Sequence, residues 1–306
     1  MSRSAWGYVF AILAVALWGG NAVIGRAASS VDIPPVALNF ARWTIALVVV
    51  LPFALRGLRR DRLLYVRHWR FCVAIGLVAI AGFNTFYYIG LQTTTAVQGS
   101  LMAGALPAMV LTGAWLFFRS RITPRQVAGI VLCFGGLVLI VGRGDPSVLL
   151  RLQLNVGDVW IMGAIVMWAG HILLLRKMPP GMDLMGFQVV MFVVGLVALA
   201  PLLAWEMATV GTMPLNPTTI ALLAYVGVVA SVFGFTLWNL GVLRAGAAAA
   251  GYLGNLYPVF GSLFAILFLG ETFAWFHIAA AALILGGIVL ATWMPARPAP
   301  ARPQTT

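Results

Sequence analysis

Ten stretches of this chain are apolar over a length that crosses a hydrocarbon layer: about 6–26, 35–55, 69–91, 97–118, 124–142, 155–176, 183–205, 217–243, 247–269 and 273–293. At about 1.5 Å of rise per residue, a helix needs roughly 20 residues to span about 30 Å of lipid. Lipid offers no partner to backbone polar groups, so apolar segments of this length read as helices. Composition leaves no soluble alternative. The chain is 62% hydrophobic and 8% charged, against roughly 25% charged in a soluble domain. The expected fold is an all-α integral membrane protein of ten transmembrane helices, with the lipid bilayer as its solvent.

In a soluble chain the formal charge of +12 would point to nucleic acid or an anionic partner. Here it lies almost wholly in short loops. With the N-terminus inside, the cytoplasmic segments hold Arg3, Arg56, Arg59, Arg60, Arg62, Arg67, Arg70, Arg119, Arg121, Arg125, Arg176, Lys177, Arg244, Arg297 and Arg302. The external loops hold Arg143 and Arg151. Fifteen cations against two satisfy the positive-inside rule. Both termini are therefore expected in the cytoplasm, in a bacterial cytoplasmic (inner) membrane, with no nucleic-acid partner. The N-terminus has the outline of a signal peptide, but its apolar run continues to Ile24 and is copied in mid-chain, as in a retained helix. Cys72 and Cys133 fall inside apolar stretches, so neither a disulfide framework nor a metal site is expected.

The chain is written twice. "AVALWGGNAVIGR", residues 14–26, returns as "AIVMWAGHILLLR", residues 164–176. Offsets of 149 to 151 also pair Asn39 with Gln188, Pro52 with Pro201, Gly90 with Gly241, Pro107 with Pro258 and Gly135-Gly136 with Gly286-Gly287. Each half holds five helices, and because five is odd the second must lie upside down relative to the first. Residues 1–150 read as the first repeat, 151–294 as the second, inverted repeat, and 295–306 as a Pro-rich cytoplasmic tail. Secondary transporters share this plan, with substrate sites near the midplane between the halves.

The most specific text is "YPVFGSLFAILFLGETFAWFHIAAAALILGGIVL", residues 257–290. Together with "WGGN" at 18–21, it resembles the EamA-type transporters of the drug/metabolite transporter superfamily. Pro258, the Leu269-Gly270-Glu271 turn and Gly286-Gly287 match that family in order and spacing, and the resemblance runs over roughly residues 6–293. The first half departs from it, with Arg119-Ser120 standing where the second has Gly270-Glu271. Within the family, the chain is similar to bacterial exporters of aromatic and other hydrophobic amino acids. The resemblance implies a ten-helix basket around a central cavity and outward movement of small metabolites.

Polar side chains retained in lipid usually face a cavity or another helix. Trp18 and Asn21 share one helix face, as do Trp168 and His171. Packing between helices explains the first pair as well as ligand contact does. For the second the cavity is favoured, because packing alone gives no reason for Asn in one copy and His in the other. The third and eighth helices offer Asn84, Tyr87 and Tyr88 against Phe235, Trp238 and Asn239, as an aromatic wall with polar tips or as interfacial belts. In the fourth and ninth, Pro107 and Pro258 clash with the carbonyls of Ala103 and Gly254. These prolines read as hinges in broken helices, or as simple kinks with small residues for close packing. Gln98, Ser100, Tyr252 and Asn255 add polarity to these helices. Arg42 is the one cation well inside a helix, some seven residues from its external end. Snorkelling to that interface is weighed slightly above ligand binding.

Many aromatics, several amides and one cation suit an indole or phenyl ring with a compact polar head. The expected function is export of aromatic and other hydrophobic amino acids by alternating access, by a monomer with no cofactor. A broader drug or metabolite exporter is the alternative. A membrane-embedded enzyme would need convergent acids or histidines; His68, His171 and His277 are scattered, and no catalytic motif is present. No carboxylate is expected near mid-membrane. Asp158, at a helix start, has a sufficient role as a cap. His171 is the one mid-helix group with an ordinary pKa, about 6.5, in a useful range for proton coupling. Facilitated, downhill transport is therefore the expected energetics.

Overall fold

The computed structural model describes residues 3–145, 147–148, 155–245 and 253–292. Its helices are α1 (Arg3–Ser30), α2 (Pro35–Arg67), α3 (Trp69–Gly76), α4 (Phe83–Gly90), α5 (Ala96–Ala103), α6 (Leu106–Phe118) and α7 (Pro124–Val141). They continue with α8 (Val156–Leu175), α9 (Leu184–Thr209), α10 (Pro217–Ala224), α11 (Gly234–Ala245), α12 (Tyr257–Leu269) and α13 (Trp275–Thr292). π-helical stretches Leu77–Gly82 and Tyr225–Phe233 join α3 to α4 and α10 to α11. Among the described residues there is no strand. Eight helical runs are long and apolar enough to cross a bilayer; Tyr257–Leu269 and Trp275–Ala291 are shorter apolar helices, so ten spans fit.

The largest departure from the expected bounds is α2. It runs to Arg67, so Arg56, Arg59, Arg60, Arg62 and Arg67 lie on a helix rather than in a loop. Arg and Leu are good helix formers, and nothing in "LRRDRLLYVR" breaks the backbone ladder where it leaves the apolar stretch. α2 and α9 lie antiparallel and satisfy each other's starts. Glu206, near the end of α9, accepts from the N–H groups of Val36 (3.0 Å) and Ala37 (2.7 Å) at the start of α2. At the other end Asp61 of α2 accepts from Asp183 N–H (2.8 Å), and Asp183 itself caps α9 through Gly186 N–H (2.8 Å). Glu271 likewise accepts from Ala96 and Val97 N–H, both at 2.8 Å, at the start of α5. Negative groups at helix starts satisfy orphan N–H donors and complement the helix dipole.

The expected cap on α8 is misassigned. Asn155 caps that helix, accepting from Gly157 N–H at 2.9 Å. Asp158 is buried and accepts instead from Thr94 Oγ1 and Gln98 Nε2, both at 2.7 Å. An N-cap residue must sit outside the helix to turn its oxygen back, and Asp158 is already inside α8.

α7 packs along α13, α1 along α11 and α12, α4 and α6 against α8, and α5 against α12. Glycines permit the closest of these approaches. A Cβ on Gly129 would lie 2.5 Å from the carbonyl oxygen of Gly287, and the reverse holds too. Such small-residue contacts bring helix backbones together where lipid supplies no hydrophobic drive. The prolines act as expected on the backbone. α5 ends at Ala103 and α6 restarts with Pro107 in its first turn; α12 likewise carries Pro258 in its first turn, after a turn at Asn255–Leu256. The two breaks meet, since a Cβ on Gly104 would come 2.8 Å from Pro258 Cγ.

The copied motif is not symmetric in its packing. A Cβ on Gly20 would run into the Tyr225 hydroxyl, which donates to the Leu17 carbonyl at 3.0 Å. At Gly170 the nearest atom is Val78 Cγ1 at 3.5 Å, an ordinary contact. Gly20→Ala should therefore destabilise the purified protein by about 1–3 kcal/mol, as overpacking does. Gly170→Ala should change stability by less than about 0.5 kcal/mol or raise it, since alanine favours the helix. Thermal midpoints in detergent check the contrast; equal midpoints for the two variants would contradict it.

Candidate functional site

Arg42 is buried inside the bundle. Its side chain does not snorkel to an interface. It turns inward from α2 and is 5% exposed. Nε donates to Ser231 Oγ at 2.9 Å; Nη1 reaches Asn21 Oδ1 (2.8 Å), Asn84 Oδ1 (2.9 Å) and Tyr88 OH (2.8 Å). Tyr88 OH donates onward to Asn21 Oδ1 at 2.7 Å, and Ser231 Oγ to the Val226 carbonyl at 2.7 Å. Its guanidinium carbon also lies 4.9 Å from the Trp43 ring centroid, a cation–π distance. Several oxygens and a ring within reach inside the bundle compete with a stretch of about 10 Å to water, and they win.

Four segments supply this network: α1 gives Asn21, α2 Arg42, α4 Asn84 and Tyr88, and the second π-helical stretch Ser231. The wide turns of the π-helix matter here. Bonds spaced five residues apart disturb the regular ladder and leave carbonyls available to side chains. Ala230 O accepts from Trp18 Nε1 at 3.0 Å, and Ile80 O, in the other π stretch, accepts from Asn39 Nδ2 at 3.0 Å. Asn39 also donates to Thr85 Oγ1 at 2.9 Å.

Two aromatic groups stand beside the network. Trp18 packs on Phe235 and Trp238, with ring centroids 5.2 and 5.3 Å apart. Trp168 packs on Phe83 at 4.7 Å and on His171 at 4.8 Å; Phe83 in turn meets Tyr87 at 5.8 Å. Tyr87 OH shares a hydrogen bond of 3.1 Å with Tyr257 OH, beside Pro258. His171 is buried, and its Nδ1 has no partner among the described residues.

The structure thus brings together Asn21, Arg42, Asn84 and Tyr88, and pairs Trp18 with Trp238 and Trp168 with His171. Other expected residues go elsewhere. Gln98 is tied to Asp158, so its amide nitrogen is already in use. Asn239 is exposed, because a residue adjacent to Trp238 on a helix points about 100° away. Asn255 is half-buried in the turn before α12, and Tyr252 lies outside the described residues. Ser231, Tyr225, Phe83 and Tyr257 are additions. The serine had a signal: it is the one hydroxyl in the apolar run "VGVVASVF" at 226–233.

The network is closed. Asn21, Asn84, Tyr88 and Ser231 are at most 6% exposed. An apolar cavity of about 240 Å³ lies instead against Pro258, lined by Leu101, Ser262, Phe273 and Ile284. A wider one of about 660 Å³ lies among the loops, lined by Asp32, Pro34, Gln92, Pro214 and Asn216.

The profile of the EamA-like transporter family matches this chain twice, over residues 5–142 and 155–293. Uncharacterized transporter YyaM of Bacillus subtilis (strain 168) is 26% identical over 72% of this chain and 72% of its own length. An uncharacterized transporter of Archaeoglobus fulgidus is 25% identical over 92% of this chain and 95% of its own. A solved crystal structure, 19% identical, superposes with a TM-score of 0.59 over 95% of this chain and 97% of that one, a likeness of fold. The two profile matches take in nearly all of the described helices, and the chain belongs to the EamA-like transporter family, as a multi-pass membrane transporter.

Proposed function

We propose that this transporter exports aromatic and other hydrophobic amino acids by alternating access, as two inverted five-helix halves, residues 1–150 and 151–294, around a central site. The observation that carries the reading is the buried network of Asn21, Arg42, Asn84, Tyr88 and Ser231, with tryptophans on the helices that supply it or pack against it. Polar groups are costly in a bilayer and collect where a polar cargo passes. Trp18, Trp238 and Trp168 offer flat apolar faces for a ring or branched chain, and the network offers hydrogen bonds for a compact polar head.

Inversion is supported by how helices pair. Under the repeat, α1 with α11, α4 with α8, α2 with α9 and α7 with α13 are all pairings of one half with the other. The crossed caps of Glu206 on α2 and Asp61 on Asp183 have the form expected of two copies related by a twofold axis in the membrane plane. In this reading the closed network is an occluded state. The mutually touching breaks before Pro107 and Pro258 are the hinges, because a backbone without the i→i−4 bond bends more easily. Both termini lie in the cytoplasm of a bacterial inner membrane, and the carrier works as a monomer.

The cycle runs downhill. Among the described residues His171 contacts no carboxylate, and a protonated imidazole would need an acceptor at each nitrogen, while Nδ1 has none. Asp158, Glu206 and Glu271 are held by fixed N–H or side-chain donors.

In liposomes without an ion gradient, purified protein should equilibrate radiolabelled phenylalanine or tryptophan, and an imposed pH gradient should not concentrate either. Accumulation above the bath that collapses with a protonophore and disappears in His171→Gln would make His171 a coupling group instead. Pro107→Ala and Pro258→Ala should each slow exchange several-fold at unchanged expression; unchanged rates in both variants would reduce the breaks to packing devices. A protease-cleavable tag after Thr306 should survive protease in intact spheroplasts and be cut only after lysis.

A further inference from the structure

The unused valences of the central network are all of one kind. Nη1 and Nε of Arg42 are occupied, but Nη2 has no hydrogen-bond partner among the described residues. The amide oxygens of Asn21 and Asn84 both face Nη1. An amide must turn its oxygen, not its nitrogen, toward a guanidinium, so each Nδ2 is directed away from Nη1. Neither Nδ2 has a partner among the described residues. Three donors therefore remain, one of them charged, with no acceptor supplied.

Nor is there a counter-charge. The described ion pairs are those of Arg60 with Asp61 and Asp183. Asp158 is held by Thr94 and Gln98, and Glu206 and Glu271 by helix starts. Every hydrogen-bond partner of Arg42 is neutral: two amides, a phenol and a serine hydroxyl. A guanidinium is always protonated, and burial makes a charge costly unless it is paired.

The geometry points to a carboxylate-receiving site, in which Arg42 Nη2 and the Nδ2 atoms of Asn21 and Asn84 take the anionic head of the cargo. This rests on the reading of the network as the cargo site. The cargo supplies the missing acceptors and the missing charge together. No acid of the network answers an ammonium group, so selectivity follows the carboxylate: a deaminated acid is accepted, whereas an amide or an amine of the same shape is not. Substrates are thus a class of compact monocarboxylates with an apolar tail, in which amino acids are one group.

The test uses purified full-length protein in nanodiscs, in chloride-free sulfate buffer, with thermal stabilisation and direct binding as readouts. Four ring-matched compounds form the panel: phenylalanine, 3-phenylpropionate, phenylalaninamide and phenethylamine. The two acids should bind within about tenfold of each other, and the amide and amine roughly 10–100-fold more weakly, the range expected for losing a charge-assisted hydrogen bond. Arg42→Gln should erase that difference. Arg42→Lys keeps the charge without the planar fork and should retain a reduced difference, so the test stands if the glutamine variant does not fold. Equal binding of acid, amide and amine by the wild type, or a full acid preference surviving in a folded Arg42→Gln protein, overturns the proposal. So does stabilisation by added chloride with none by any carboxylate. If pyruvate or lactate binds with the same dependence on Arg42 while no aromatic compound does, the carboxylate site stands and the aromatic amino-acid reading falls. If no carboxylate of either kind binds, the site falls.

Discussion

A guanidinium buried in the middle of a membrane protein is the constraint around which the rest is arranged. Insertion scales put a central arginine at about 2.5–3.5 kcal/mol, so its surroundings must return that free energy through hydrogen bonds. Arg42 obtains them from four segments at once, with Asn21, Asn84, Tyr88 and Ser231 each supplying an oxygen. α1, α2, α4 and the second π-helical stretch can then meet only in a narrow set of positions, and the neighbouring ring pairs of Trp18 with Trp238 and Trp168 with Phe83 are positioned along with them. The same interaction that joins the helices leaves Nη2 of Arg42 without a hydrogen-bond partner among the described residues.

The irregular backbone is concentrated around that centre. Both π-helical stretches give a carbonyl to a side chain from another helix, Ile80 to Asn39 and Ala230 to Trp18. Both proline breaks fall where α5 approaches α12, and Tyr87 and Tyr257 join across the same region. Regular helix suits a span that faces lipid, where an unbonded carbonyl would have no partner. Polar bonds near the ends of the spans are of another type. Glu206, Asp183 and Glu271 act on helix starts, where N–H groups are free by construction and a carboxylate answers them.

Much of the candidate site was legible in the sequence, and what was not failed for identifiable reasons. Asn21, Asn84 and Tyr88 stood out as polar residues in apolar runs, and they do converge. Arg42 stood out equally, but its depth alone favoured a reach toward water; only the neighbours on other helices reverse that. Gln98 and Asp158 looked like a ligand group and a cap when read singly, and they satisfy each other. Asn239 adjoins Trp238 but lies on an exposed face of its helix. Ser231, one small hydroxyl among valines, gains its meaning only from the Arg42 donor opposite it.

Length and apolarity determined that this chain is a multi-pass membrane protein, with ten apolar stretches that the helices fit, and the matching prolines located the breaks between α5 and α6 and before α12. Those properties are local: each depends on the hydrogen-bonding needs of a backbone in lipid and on the missing N–H of a proline. Which polar groups meet was decided only by tertiary structure. A side chain on an apolar helix can turn to lipid, to an interface or to any of several neighbours, and the sequence of one helix holds no information about the others' distance or rotation. The copied motif shows the difference most sharply. Trp18-Gly-Gly-Asn21 and Trp168-Ala-Gly-His171 share the tryptophan and the second glycine, yet Gly20 abuts the Tyr225 hydroxyl and Asn21 receives a guanidinium, while Gly170 has room and the Nδ1 of His171 has no partner among the described residues. The two helices have the same needs, but the neighbours that meet those needs differ.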